Sequence, residues 1–280
     1  MSSSAAPVLR PFLTAAVLVA LAGCTTSGAR TTAVEASVTT KAVGYLQPDA
    51  VPASLALVPA PPAAGSAGFA LDEQVSREAR ALRGSPRFAQ AHTDAELGFP
   101  AGANQFSCAI DMDVDAVKTP ALYRLLERSR IDASAATRTA KKHYQRARPF
   151  MVNGEPTCTP EDEEGLRGNG SYPSGHTSIG WAWALILSEI APDRADAIQL
   201  RGRNYGESRL VCNVHWQSDI LEGRFMGAAA VARLHDNAAF NKDLLAARKE
   251  IVAARKAGLH SSRDCVAEEA MLKVRPESAL

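Results

Sequence analysis

The chain has 280 residues, of which 46% are hydrophobic and 22% charged, with a formal net charge of +1. That length buries one sizeable core or two small ones, and the composition is that of a globular protein rather than a disordered one. A nearly balanced charge excludes a global attraction to nucleic acid or to an anionic membrane, so any anion site has to come from a local cluster of cations.

Residues 1–23 read as an export signal. Arg10 is the only charge before an apolar run, Phe12 to Ala22, too short to span a bilayer as a mature helix. The run closes on Leu21-Ala22-Gly23-Cys24, which resembles a lipoprotein signal with Cys24 as the acylated residue. The expectation is a periplasmic, cell-envelope protein of a Gram-negative bacterium, lipid-anchored to the outer membrane. Ordinary signal cleavage, with Cys24 an incidental thiol, is the alternative. Residues 24–44 are rich in Thr, Ser and Ala and read as a flexible tether.

Residues 45–258 are expected to form one all-α helical-bundle domain, entered through an extended Pro-rich segment (Pro48, Pro52, Pro59, Pro61, Pro62) lying over its surface. Helices are expected from Leu71 to Leu82 with Asp72 as cap, from Pro86 to Leu97, from Thr119-Pro120 onward, and from Asp132 to about Tyr144. Arg148 to Tyr172, with three prolines and four glycines, reads as a long functional loop. Ser174 to Ile190 is apolar enough for a central buried helix, followed by helices over Asp193–Ser208, Asp219–His235 and Phe240–Ala257. Residues 259–280 read as a tail. No later segment carries an apolar run long enough to span a membrane.

With Cys24 set aside, Cys108, Cys158, Cys212 and Cys265 remain. An even number in an oxidising compartment points to two disulfides, and three connectivities are open. No two of them are close enough in sequence for a zinc site.

Three short segments concentrate groups suited to one oxyanion: Lys141 to Pro149, Pro173-Ser174-Gly175-His176, and Ser208-Arg209 followed by His215 and Asp219. Arginine forks bind phosphate oxygens bidentately and stay charged. Ser174-Gly175 would offer a hydroxyl and bare N–H groups at a helix start. His215 and Asp219, four apart, share a face if that segment is helical, so the carboxylate could fix one ring nitrogen as N–H and leave the other as nucleophile. His176 could protonate a leaving oxygen. No cluster of carboxylates supplies a hard-cation site, so no metal or other cofactor is expected. Each piece alone is commonplace; the combination in this order is not.

The pattern Lys-x6-Arg-Pro, Pro-Ser-Gly-His, Ser-Arg-x5-His-x3-Asp resembles the three-part signature of the phosphatidic acid phosphatase type 2 superfamily. The text around it (Ala140 to Tyr144, Asn169 to Tyr172, Val214 to Asp219) is similar to the bacterial class A non-specific acid phosphatases. The resemblance runs from about Tyr45 to Lys256. It implies a helical fold and metal-free hydrolysis of a broad range of phosphate monoesters in acid. It makes His215 the nucleophile, Asp219 its orienting partner and His176 the general acid, with Lys141, Arg148, Ser174, Gly175 and Arg209 binding the phosphate. The expected partners are small phosphomonoesters, with no nucleic acid, membrane contact only through Cys24, and a homo-oligomer left open. Alternatives are a phosphotransferase using alcohols or nucleosides as acceptors, a vanadium haloperoxidase on the same scaffold, and a non-catalytic phosphate-binding lipoprotein.

Overall fold

The computed structural model describes residues 42–280, and among them every regular element is helical. Cys24, the signal and most of the tether lie outside the described residues. The chain enters as an extended strap. Tyr45 N and Leu46 N donate to the Asp132 carboxylate, and Tyr172 Oη reaches the Pro59 carbonyl. Proline has no N–H to lose and favours this extended geometry, which lets the strap run over the domain.

In chain order the helices are α1 (Ser54–Leu57), α2 (Ala67–Ala81), α3 (Pro86–Thr93), α4 (Ser107–Ile110), α5 (Pro120–Ala135), α6 (Arg138–Tyr144), α7 (Pro149–Asn153), α8 (Glu163–Arg167), α9 (Gly175–Ile190), α10 (Ala195–Val211), α11 (Gln217–Leu234), α12 (Ala238–Lys256) and α13 (Cys265–Leu272). Helix α9 is the axis of the bundle. Helices α5, α10 and α11 pack on it, and α12 closes against α5. Its apolar sequence is buried almost all round, with Trp183 fully enclosed and donating its indole N–H to the Leu126 carbonyl. A buried indole needs such a partner.

Several boundaries differ from the sequence expectation. Helix α2 starts earlier, capped by Ser66 through Phe69 N, so Asp72 caps nothing in its own helix. Helix α3 stops at Thr93 and α5 runs through to Ala135. The Ala-rich stretch breaks at Ala136–Thr137 before α6. The supposed loop 148–172 contains α7, a 3-10 turn at Pro160–Asp162, and α8.

The C-terminal segment is a built part of the fold rather than a loose tail. Disulfides join Cys108 to Cys265 and Cys158 to Cys212. Glu268 of α13 meets buried Arg201, which also pairs with Asp94; Arg275 pairs with Glu207. No helix among the described residues is long and apolar enough to cross a membrane.

Candidate active site

The N-terminal end of α9 meets the ends of α6 and α10 and the start of α11 at the floor of a cavity of about 1120 Å³. Lys141, Arg148, Gly175, His176, Arg209 and His215 all line it. Residues up to 74 apart in sequence thus converge on one wall.

Ser174 caps α9. Its Oγ accepts from Thr177 N and from Thr177 Oγ1, so its own O–H is left to donate elsewhere. Gly175 is the first helical residue; a Cβ there would stand 3.3 Å from Thr137 Oγ1, a tight contact, and 3.6 Å from Lys141 Cε, an ordinary one. The bare N–H groups of this first turn and the positive end of the helix dipole favour an anion here.

Three cations surround that turn. Lys141 Nζ donates to the main-chain carbonyls of Gly170 and Ser171, and burial with Arg148 nearby lowers its pKa to about 7. Arg148 is fixed by four acceptors: Nε meets the Leu166 and Asn169 carbonyls, and Nη1 meets the Val214 carbonyl and His215 Nε2. Arg209 Nε and Nη1 are buried with no hydrogen-bond partner among the described residues. Burial lowers both guanidinium groups to about 10, so they remain charged at any working pH. Unpartnered buried guanidinium nitrogens are costly, and an oxyanion is the partner that relieves them.

His215 precedes α11 rather than lying within it, so it meets Asp219 across the start of the helix and not along one helical face. Asp219 is the third residue of α11; its Oδ2 accepts from Trp216 N at 2.8 Å and from His215 Nδ1 at 3.2 Å. One carboxylate thus caps the helix and holds the imidazole. Arg148 Nη1, which can only donate, lies 3.2 Å from Nε2. Nε2 therefore carries its lone pair and Nδ1 the proton. Burial, then Arg148, Lys141, Arg209 and Arg146, push the His215 pKa well below its usual value.

His176 stacks on Tyr205 with centroids 4.5 Å apart, and its Nε2 is buried without a partner. Burial, Arg209 and His215 lower its pKa well below the ordinary value; a hydrogen bond to the Asp94 backbone opposes them. A bound anion would act in the same direction as that bond and favour the imidazolium.

Side chains given no role in the sequence reading of the site support it from behind. Asp94 accepts from Ser208 Oγ and Arg201, and Arg87, itself fully buried, donates to Ser208 Oγ and the Asn204 carbonyl. Ser208 is thus a joint in the support behind Arg209. Asp72 and Arg146 bind each other at 2.7 Å behind Asp219. Ser-Gly-His and Arg-Pro motifs can be read locally; partners 74 to 146 residues away have no local pattern. Among the described residues no three His, Cys, Asp or Glu side chains converge to hold a metal ion.

Buried cations around a helix start, with an Asp-held histidine lining the same cavity, form an arrangement suited to a phosphate-handling enzyme. Residues 130–242 match the PAP2 superfamily. The chain is 44% identical over 213 residues to a non-specific acid phosphatase of Providencia stuartii, covering 76% of this chain and 86% of that protein. It is 43% identical to an acid phosphatase of Zymomonas mobilis (70% and 74% covered) and 40% identical to a non-specific acid phosphatase of Salmonella typhimurium (69% and 78%). The chain belongs to the bacterial class A non-specific acid phosphatases of the PAP2 superfamily, and it is a phosphatase.

Proposed function

We propose that this phosphatase hydrolyses a broad range of phosphate monoesters without a metal, through a phosphohistidine on His215. The observation that carries the reading is the pair of contacts on that ring. Arg148 donates toward Nε2 and Asp219 accepts from Nδ1, which selects the tautomer with its lone pair facing the cavity.

In the first half-reaction Arg148, Arg209, Lys141, the Ser174 hydroxyl and the first-turn N–H groups of α9 hold the phosphoryl oxygens. The Nε2 lone pair forms the N–P bond as the P–O bond to the leaving group breaks. His176 Nε2–H gives its proton to that leaving oxygen. The phosphorylated ring is cationic, and Asp219 balances it. In the second half, neutral His176 takes a proton from water, the oxygen attacks phosphorus, and the N–P bond breaks to return neutral His215 and inorganic phosphate.

The breadth of substrates is supported by the cavity wall. It mixes Glu96, Gln105, Arg138, Lys142, Asp162 and Asn169, and among the described residues no Phe, Tyr or Trp lines it, so no large aromatic face selects for a base or an aryl group. Export and lipid anchoring through Cys24 belong to the same proposal, resting on the sequence alone; loss of palmitate labelling in Cys24→Ser tests them.

The deciding experiment is rapid quench with labelled substrate. Acid-labile, base-stable phosphate on His215, absent in an inactive His215→Ala and unaffected by EDTA, is the expected result. Full activity in His215→Ala, or loss of activity on chelation, overturns the reading.

A further inference from the structure

Arg146 lies inside the first cationic segment yet points away from the cavity. Its Nη1 donates to Asp219 Oδ1 at 2.6 Å and to Ser218 Oγ at 2.8 Å, and its Nη2 donates to Asp72 Oδ2 at 2.7 Å. Asp72 is 1% exposed and also accepts from Ser218 N and Ser218 Oγ, both at 2.7 Å. The guanidinium is packed near the rings of Tyr172 and Trp216. One arginine therefore bridges two buried carboxylates, and one of these is the group that holds His215.

We infer that Arg146, clamped by Asp72, is a positioning residue that fixes Asp219 and draws on its charge, so that His215 enters the reaction neutral in acid. This rests on the phosphohistidine reading. A carboxylate beside a histidine ordinarily favours the imidazolium, which would remove the nucleophile under acidic conditions. Here Asp219 divides its interaction between the ring on Oδ2 and a guanidinium on Oδ1. The other groups facing the ring are Arg148 at the start of α7, Lys141 from α6, Arg209 from α10 and His176 from α9; each of them also disfavours a second positive charge. Arg146 differs because it does not line the cavity: besides its own charge near the ring, it hydrogen-bonds Asp219, the one carboxylate paired with His215 among the described residues.

The test is the titration of the His215 imidazole by ring-nitrogen NMR in the free protein, alongside the pH profile of kcat/KM. In Arg146→Gln the His215 titration and the acid limb of kcat/KM should both move up by about one pH unit, a tenfold change in the protonation constant. The loss in kcat should then be greater at pH 5 than at pH 7, with KM little changed. Arg146→Lys, which restores the charge without the two-carboxylate fork, should return the titration toward wild type while kcat stays low. Asp72→Asn releases Arg146 to Asp219 alone and should move the titration down, the opposite sign; it keeps the test alive if Arg146→Gln fails to fold. A uniform loss at all pH values with the His215 titration unmoved in both Arg146→Gln and Asp72→Asn overturns the inference. The NMR readout needs no phosphohistidine, so an active His215→Ala would sink the mechanism without being mistaken for failure of this contact.

Discussion

Lys141 Nζ lies 2.8 Å from the carbonyl oxygen of Gly170, and among the described residues no carboxylate forms an ion pair with it. Main-chain dipoles rather than a counter-ion hold this charge, and burial brings its pKa down to about 7. The ammonium is present below that pH and lost as pH rises through it. Affinity for inorganic phosphate as a competitive inhibitor should therefore weaken above about pH 7. Lys141→Met should bind phosphate weakly throughout and lose that step, a difference read from inhibition constants across pH 5 to 9.

Cys158 is joined to Cys212, which follows α10 three residues after Arg209. The same loop supplies the Leu166 and Asn169 carbonyls that fix Arg148. Opening a 54-residue covalent loop costs about 4 kcal/mol in the chain-entropy account, or roughly 8–15 °C in Tm for a domain of this size. Cys158→Ser should show that drop in calorimetry together with a raised KM. An unchanged KM would mean the loop holds Arg148 without the crosslink.

Gly223 of α11 faces the start of α9, and a Cβ there would stand 2.6 Å from the Ser174 carbonyl oxygen. Gly223→Ala should cost about 1–3 kcal/mol by overpacking and lower kcat by displacing the Ser174 turn. Gly165 in α8 has open space around its Cβ position, so Gly165→Ala is the matched control and should leave both stability and kcat intact. Thermal melts and steady-state kinetics on the pair decide it.

His176→Ala should lose about 10²- to 10⁴-fold in kcat with an alkyl phosphate, whose leaving oxygen needs a proton. The loss should be much smaller with p-nitrophenyl phosphate, whose leaving group departs as an anion. Equal losses for both substrates would remove His176 from the acid role and leave it as part of the anion cradle.

The helical class, the buried axis α9 and the three segments that meet at the cavity were legible in the sequence because their signals are local. A 3.6-residue apolar pattern, a Ser before a Gly at a helix start, and a Lys and an Arg seven apart are fixed by neighbouring residues. Even there the local argument had limits: Asp72 looked like a cap for α2, yet it holds Ser218 N at the start of α11, 146 residues away. The supposed loop 148–172 forms helices with partners from other segments: the Arg148 contact to the Val214 carbonyl, the Cys158–Cys212 bond and the Ser171 N to Arg146 carbonyl contact. Which cysteines pair, and that residues 259–280 dock through Glu268 and Arg201, also depended on long-range proximity. By itself, then, the sequence determined the chemical groups and the helices that carry them. Only the tertiary structure decided which nitrogen of His215 keeps its lone pair, because Arg148 and Asp219 reach that ring from separate elements and hydrogen-bond direction is settled by who meets whom in space.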